Sequence, residues 1–351
     1  MSERARSLMK HRTLRAAGCA RICLLRLLAI PQGYEPQRLT APPERCLMIP
    51  AEKPSFIVVG PPRTGTSWLH KVLEPYATLP SPTKETRFFD LHFHRGFDWY
   101  SWHFPRNHSG PIGEIAPTYF ASPEARQRIA QNIPDAKIIA IFRDPVERAV
   151  SLYRLKIAYG MYRWSLPEAL HKDPELINSG LYWSHLSEWR EFLPDEQLLV
   201  TIYDDLAADP QAFVSKVARF IGLEEPKLSQ AQLRRVFSTE RMTRPRSYLA
   251  TRTATAFADW CKSRRLDHVV ASVRDSALIK LFLGGGESLP QMPSETIDEL
   301  TELFRPEVEA LELYLDRNLE HWKVGRTLRE SRSAVEAFAP PAVRGTAYSA
   351  R

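Results

Sequence analysis

The stretch Gly60-Pro61-Pro62-Arg63-Thr64-Gly65-Thr66-Ser67 has the residue types of an anion-holding loop. It follows a short β-branched run at 55–59 and precedes Trp68, Leu69, Val72 and Leu73 at helical spacing, so it joins a strand to the start of a helix. Such a turn presents successive backbone N–H groups to a guest, and the helix N-terminus adds a partial positive charge. Phosphate or sulfate is the expected guest. A loop for a nucleoside triphosphate carries lysine and then Ser/Thr after its second glycine. Gly60 and Gly65 keep that spacing, but Thr66 fills the lysine position, which disfavours an ATPase or GTPase. Arg63 puts a cation inside the loop instead, suited to neutralising charge on a bridging oxygen. The plainer alternative is a Gly/Pro loop that only turns the chain.

Two further segments carry chemistry. In Arg143-Asp144-Pro145-Val146-Glu147-Arg148-Ala149-Val150-Ser151, a guanidinium at the end of a strand is followed two helical turns later by a hydroxyl. Both groups suit a phosphate, although Arg143 and Asp144 could equally form a strand-end ion pair. In Lys84-Glu85-Thr86-Arg87-Phe88-Phe89, a carboxylate stands between basic neighbours just before an aromatic pair. Glu85, His92, His94, His103 and His108 are all candidate general bases for a bound hydroxyl. The histidines lack the tight helical spacing of a metal site, so no metal is expected. Trp99, Tyr100, Trp102 and Phe104 are either core or a wall for a sugar ring or aromatic acceptor.

The elements that must position these groups alternate in kind. Strand patterns cover 55–59, 138–142 and 198–203, and helical patterns cover 123–132 and 294–315; further helices begin at Pro145 and Pro210. This order predicts a single α/β domain, a P-loop-type parallel sheet flanked by helices on both faces, with ligands at the carboxyl ends of the strands. The segment 230–288 reads as an insertion or lid. With 44% hydrophobic and 25% charged residues the 351-residue chain is neither fibrous nor mainly disordered, and its four cysteines are too few for a disulfide framework. The net charge of +7 is concentrated at the start, where Arg4, Arg6, Lys10, Arg12, Arg15, Arg21 and Arg26 face only Glu3. Charge alone therefore gives no case for nucleic acid. The apolar run at 22–30 is interrupted by Arg26 and is too short to span a bilayer, which takes about 20 residues. A basic arm of this kind can lie on an anionic membrane, act as a targeting peptide, or be a solvated extension; Met48 is an alternative start.

Together the loop at 60–68 and the segments at 84–89 and 143–151 resemble, in order and approximate spacing, the sulfotransferases that use 3′-phosphoadenosine 5′-phosphosulfate (PAPS). The likeness is greatest to the heparan-sulfate type and its bacterial relatives, and it covers most of 56–322. It implies a basic extension at 1–53, a sulfotransferase domain at 54–323 and a tail at 324–351. By the same resemblance Pro62, Arg63, Thr64, Gly65, Thr66, Ser67 and Trp68 hold the 5′-phosphosulfate, and Arg143 and Ser151 hold the 3′-phosphate. Glu85 is then the base for the acceptor hydroxyl and Arg63 its catalytic partner, while Gly113-Glu114 and Pro117-Thr118-Tyr119-Phe120 lie beside the acceptor cleft. The implied acceptor is a carbohydrate, glycolipid or small hydroxylated molecule, with no metal and no nucleic acid. Tyr182, Trp183 and Trp189 join the aromatics that suit a sugar. Two positions depart from the family pattern: Arg63 stands for its loop lysine, and Ile115 for a lysine of the heparan-sulfate enzymes. The disulfide loop of the family's Golgi members has no counterpart around Cys261, so the expected location is cytoplasmic, with the N-terminal arm as a peripheral membrane contact. The alternative activity is that of a P-loop nucleotide-dependent kinase or phosphotransferase.

Overall fold

The computed structural model describes residues 53–105, 110–236, 247–263 and 292–324. The expectations for the basic extension before Lys53, for His108, for Gly284-Gly285-Gly286 and for the tail after Val324 lie outside the described residues.

A parallel sheet forms the centre. Its strands are β1 (Phe56–Gly60), β2 (Gly113–Ile115), β3 (Lys137–Phe142) and β4 (Leu198–Ile202), in the order β2-β1-β3-β4. All pairings are parallel, with Phe56 opposite Gly113 and Ile138 opposite Leu198. β1 is buried along its whole length, as its unbroken apolar sequence requires when both faces of a sheet are covered. Alternate side chains divide between the two faces. Ile57, Val59, Ile138, Ala140 and Phe142 pack with α3 (Pro123–Asn132) and α7 (Tyr182–Phe192). Phe56, Val58, Ile139 and Ile141 pack with α1 (Thr66–Leu73) and α9 (Pro210–Ile221). The α/β class expected from the alternating pattern is the one found.

Further α-helices follow among the described residues. They are α2 (Gly96–Ser101), α4 (Pro145–Ala158), α5 (Leu166–Lys172), α6 (Glu175–Asn178), α8 (Tyr203–Ala208), α10 (Gln230–Val236), α11 (Tyr248–Ser263) and α12 (Ser294–Leu315). α12 packs against α7 and α4. The described parts of the expected insertion are the helices α10 and α11. No described helix is long and apolar enough to cross a membrane.

The topology sets the site. The connection after β1 leads to β2 and the one after β3 leads to β4, on opposite sides, which opens a crevice between the carboxyl ends of β1 and β3. Gly60 ends β1 at φ +93°, and a Cβ there would stand 2.5 Å from Cα of Pro117. Only glycine permits that approach.

Candidate functional site

The loop after β1 is locked by its own hydrogen bonds. Thr64 Oγ1 donates to the Pro61 carbonyl at 2.8 Å, and the amides of Trp68 and Leu69 donate to the Gly65 carbonyl at 3.0 Å each. Gly65, at φ +93°, precedes α1 without any side-chain cap. The first amides of α1 therefore point toward an incoming anion with no capping oxygen in competition. Arg63 is also left-handed, at φ +75°, a conformation that costs a residue with a Cβ about 1–2 kcal/mol. Thr66 is buried and Ser67 exposed. Trp68 is buried in the core, and its indole N–H donates to the Gln232 carbonyl at 3.0 Å, which engages α10 with the loop.

The segment after β3 meets this loop at Arg63. Arg63 Nε donates to Ser151 Oγ at 3.0 Å across 88 residues of sequence. Arg143 does not pair with Asp144; its partner is Glu147, in the first turn of α4. Its Nε and Nη2 donate to Glu147 Oε2 at 3.2 and 2.7 Å, and its guanidinium lies 4.8 Å from the centre of the Tyr203 ring. Asp144 instead caps α4, accepting from the amides of Val146 and Glu147 at 2.9 and 3.0 Å. Burial, and then Glu147, push the Asp144 carboxyl up to about 7. Burial opposes the charge of Arg143, but Glu147 and then Tyr203 more than compensate and raise its pKa.

On the other side of the loop the contacts run through Lys84. Its ammonium donates to Glu85 Oε1 at 3.1 Å and to Ser67 Oγ at 3.2 Å. Behind Glu85, the carboxylate of Glu114 is fully buried on β2 and accepts four hydrogen bonds. Thr86 donates through its amide and its hydroxyl at 2.7 Å each to Oε1, and Tyr100 and Tyr119 donate at 3.0 and 3.2 Å to Oε2. The Thr86 amide belongs to the peptide bond shared with Glu85, so Glu114 fixes the plane from which Glu85 projects. Burial pushes the Glu114 carboxyl up to about 7 despite its four donors.

Several aromatic expectations need correction. Tyr100, Tyr182 and Trp189 are core residues, and none of them is a wall for a sugar. Phe88 and Phe89 are buried with them, Phe88 stacking on Tyr100 at 4.5 Å. Trp102 is 46% exposed, Trp99 is half-buried beside His103, and Trp183 packs on Tyr314. His103 Nδ1 lies 3.0 Å from the Trp99 carbonyl. Among the described residues, no cluster of His, Cys, Asp and Glu could hold a metal ion.

The structure thus brings Arg63 to Ser151, and Glu85 through Lys84 to Ser67. It holds Arg143 on Glu147. Lys84 and Glu147 were given no role from sequence. The four donors to Glu114 left no readable signal, since Tyr100 and Thr86 reach it from other parts of the chain.

A glycine-bounded loop between the central strand and its helix, in a parallel sheet of this order, defines a P-loop-type α/β protein. Residues 53–265 match the sulfotransferase domain family, and the chain belongs to it. The chain is 32% identical over 194 residues to the human bifunctional heparan sulfate N-deacetylase/N-sulfotransferase 3, covering 48% of this chain and 22% of that protein. It is 33% identical over 184 residues to heparan sulfate glucosamine 3-O-sulfotransferase 3B1 of Mus musculus, covering 49% and 46%. The matched region is less than half the length of either relative. The fold is shared with a crystal structure of a sulfotransferase from Alicyclobacillus acidocaldarius at a TM-score of 0.56 and 22% identity, covering 78% of this chain and all of that one.

Proposed function

We propose that the protein transfers the sulfuryl group of PAPS to an acceptor hydroxyl of a carbohydrate. The observation that carries this reading is the Arg63–Ser151 hydrogen bond, which ties the anion loop to the helix that follows Arg143. A donor with phosphates at both its 5′ and 3′ ends would use both segments, whereas ATP has nothing to offer the second. The uncapped start of α1 and the loop amides suit the phosphosulfate. Arg143 and Ser151 suit the 3′-phosphate, with Glu147 holding the guanidinium until the anion replaces it.

PAPS supplies an activated sulfuryl group whose leaving group is a phosphate oxygen. Glu85 takes the proton of the acceptor hydroxyl as its oxygen bonds to sulfur, and the sulfur–oxygen bond to the 5′-phosphate breaks. The bisphosphate product keeps both electrons of that bond. Arg63 and the loop amides stabilise the charge that develops on the departing oxygen. Lys84, already on both Glu85 and Ser67, sits between base and loop to steady charge on either. Most of the rate would come from positioning and charge stabilisation, as in phosphoryl transfer. The curated heparan sulfate relatives support a carbohydrate acceptor. The cytoplasmic location and the membrane contact of the basic N-terminal residues remain part of this proposal and rest on the amino-acid sequence alone.

Calorimetric titration with 3′,5′-adenosine bisphosphate, in parallel with ATP plus magnesium, tests the donor site without an acceptor. Metal-independent binding of the bisphosphate, weakened in Arg143→Ala, is expected. Binding of magnesium-ATP alone would replace this reading with that of a kinase.

A further inference from the structure

Beside the Glu85 segment lies a groove of about 360 Å³, within the roughly 300–1,000 Å³ usual for small-molecule sites. One wall comes from α1 and its C-cap, through His70 and Glu74. The other comes from the chain that leads to Glu85, through Leu79, Ser81, Pro82 and Lys84. Lys84 is where groove and site meet, because its ammonium is one hydrogen bond from Glu85 and one from Ser67. A molecule lying in the groove therefore meets a side chain that itself contacts both the carboxylate and the anion loop.

The lining has the wrong charge for an anionic guest. Among its described residues Lys84 is the only lysine or arginine, and Glu85 already neutralises it at 3.1 Å. Glu74 adds a negative charge. Burial, and then Lys84 and Lys71, push the His70 pKa down to about 4, so the imidazole is neutral at physiological pH. A carboxylate or sulfate in the groove would meet a repulsion from Glu74 without gaining a free cation, whereas a neutral guest meets neither penalty. Pro75, Pro80, Pro82 and Pro105 are also among the lining residues and add uncharged surface.

We propose that this groove binds a neutral, hydroxyl-rich sugar unit of the acceptor, adjoining the unit that receives the sulfuryl group. The catalytic meaning of the groove rests on the sulfuryl-transfer reading, but its occupancy can be measured separately. The protein, saturated with 3′,5′-adenosine bisphosphate, is titrated with a neutral N-acetylglucosamine tetramer. A second titration uses a tetramer of alternating glucuronate and N-acetylglucosamine. The neutral tetramer should bind about tenfold more tightly than the uronate one, and Ser81→Trp, which fills the groove, should weaken it about tenfold while the bisphosphate binds as before. Ser81→Lys, a milder change at an exposed position, should shift the preference toward the uronate tetramer. Failure of the neutral tetramer to bind, binding that survives Ser81→Trp, or tighter binding of the uronate tetramer to the unmodified protein would each overturn the proposal. If the bisphosphate itself does not bind, the sulfuryl-transfer reading fails, and the tetramer titrations still decide the groove.

Discussion

The two halves of the site are built by different means. On the donor side, short runs of adjacent residues do the work: Gly60 to Ser67 around the end of β1, and Arg143 to Ser151 after β3. On the acceptor side, Glu85 is held by groups distant in sequence, with Glu114 on β2 gathering Thr86, Tyr100 and Tyr119. A backbone loop at a strand end has its geometry written in consecutive residues. A carboxylate held by a buried network depends on the whole packed face behind it. The donor half should therefore tolerate change behind it and fail locally, whereas the acceptor half should couple chemistry to stability.

The sharpest separation comes from Glu85→Ala. Loss of a general base lowers turnover by about 10² to 10⁴, and binding of 3′,5′-adenosine bisphosphate by calorimetry should stay close to that of the unmodified protein. A comparable loss in both would mean that Glu85 serves the donor. Arg143→Ala is the mirror image. Removing a charge-assisted contact of about 1.5–3 kcal/mol should weaken the bisphosphate about ten- to a hundredfold. Adenosine 5′-phosphosulfate, which lacks the 3′-phosphate, should bind equally well to both proteins. If its affinity falls in parallel, Arg143 supports the loop and not the 3′ end.

The same contrast explains what could be read from the sequence. The donor segments were legible because glycine spacing, Pro145 at the first turn of α4 and the apolar runs of β1 and β3 are local signals. β4 and α12 were legible for the same reason. β2 was not, since Gly113-Glu114-Ile115 is too short to show a period and carries a charge. Its burial is made possible by four donors brought from elsewhere. Tyr182 and Trp189 were read as sugar-facing because aromatic residues suit both core and carbohydrate, and packing decided for core. Arg143 could pair with either acid by composition. Asp144 was taken by the helix cap, which left Glu147, in the first turn of α4, as the partner of Arg143.

The acceptor half should show its coupling in pH. The Glu114 carboxyl rises from 4.5 to about 7 on folding, so the folded protein holds this proton more tightly than the unfolded chain does. Its contribution to stability is full below the unfolded pKa and is lost as pH rises through about 7. His70 acts oppositely, because its pKa falls to about 4 and its neutral form favours folding as pH rises. Comparison with Glu114→Gln cancels His70 and also Asp144, which follows the same direction as Glu114. Between about pH 5.5 and pH 8, denaturant unfolding of the unmodified protein should lose about 2 kcal/mol more than the variant does. Equal slopes would mean that Glu114 is not desolvated in the way its contacts imply.

The donor half carries a smaller and strictly local strain. Arg63 adopts φ +75° between Pro62 and Thr64, a backbone that glycine reaches freely and a residue with a Cβ does not. Arg63→Gly and Arg63→Ala both lose the hydrogen bond to Ser151, so they differ mainly in that backbone. Replacing alanine by glycine in a helix usually costs about 1 kcal/mol, but here the order should reverse, with the glycine variant about 1 kcal/mol more stable than the alanine one by denaturant unfolding. Turnover should be low in both, since neither retains the cation. If alanine is the more stable, the loop has relaxed away from the left-handed turn that aims its amides at the anion. The donor half would then depend on its guest for its shape, as the acceptor half depends on its core.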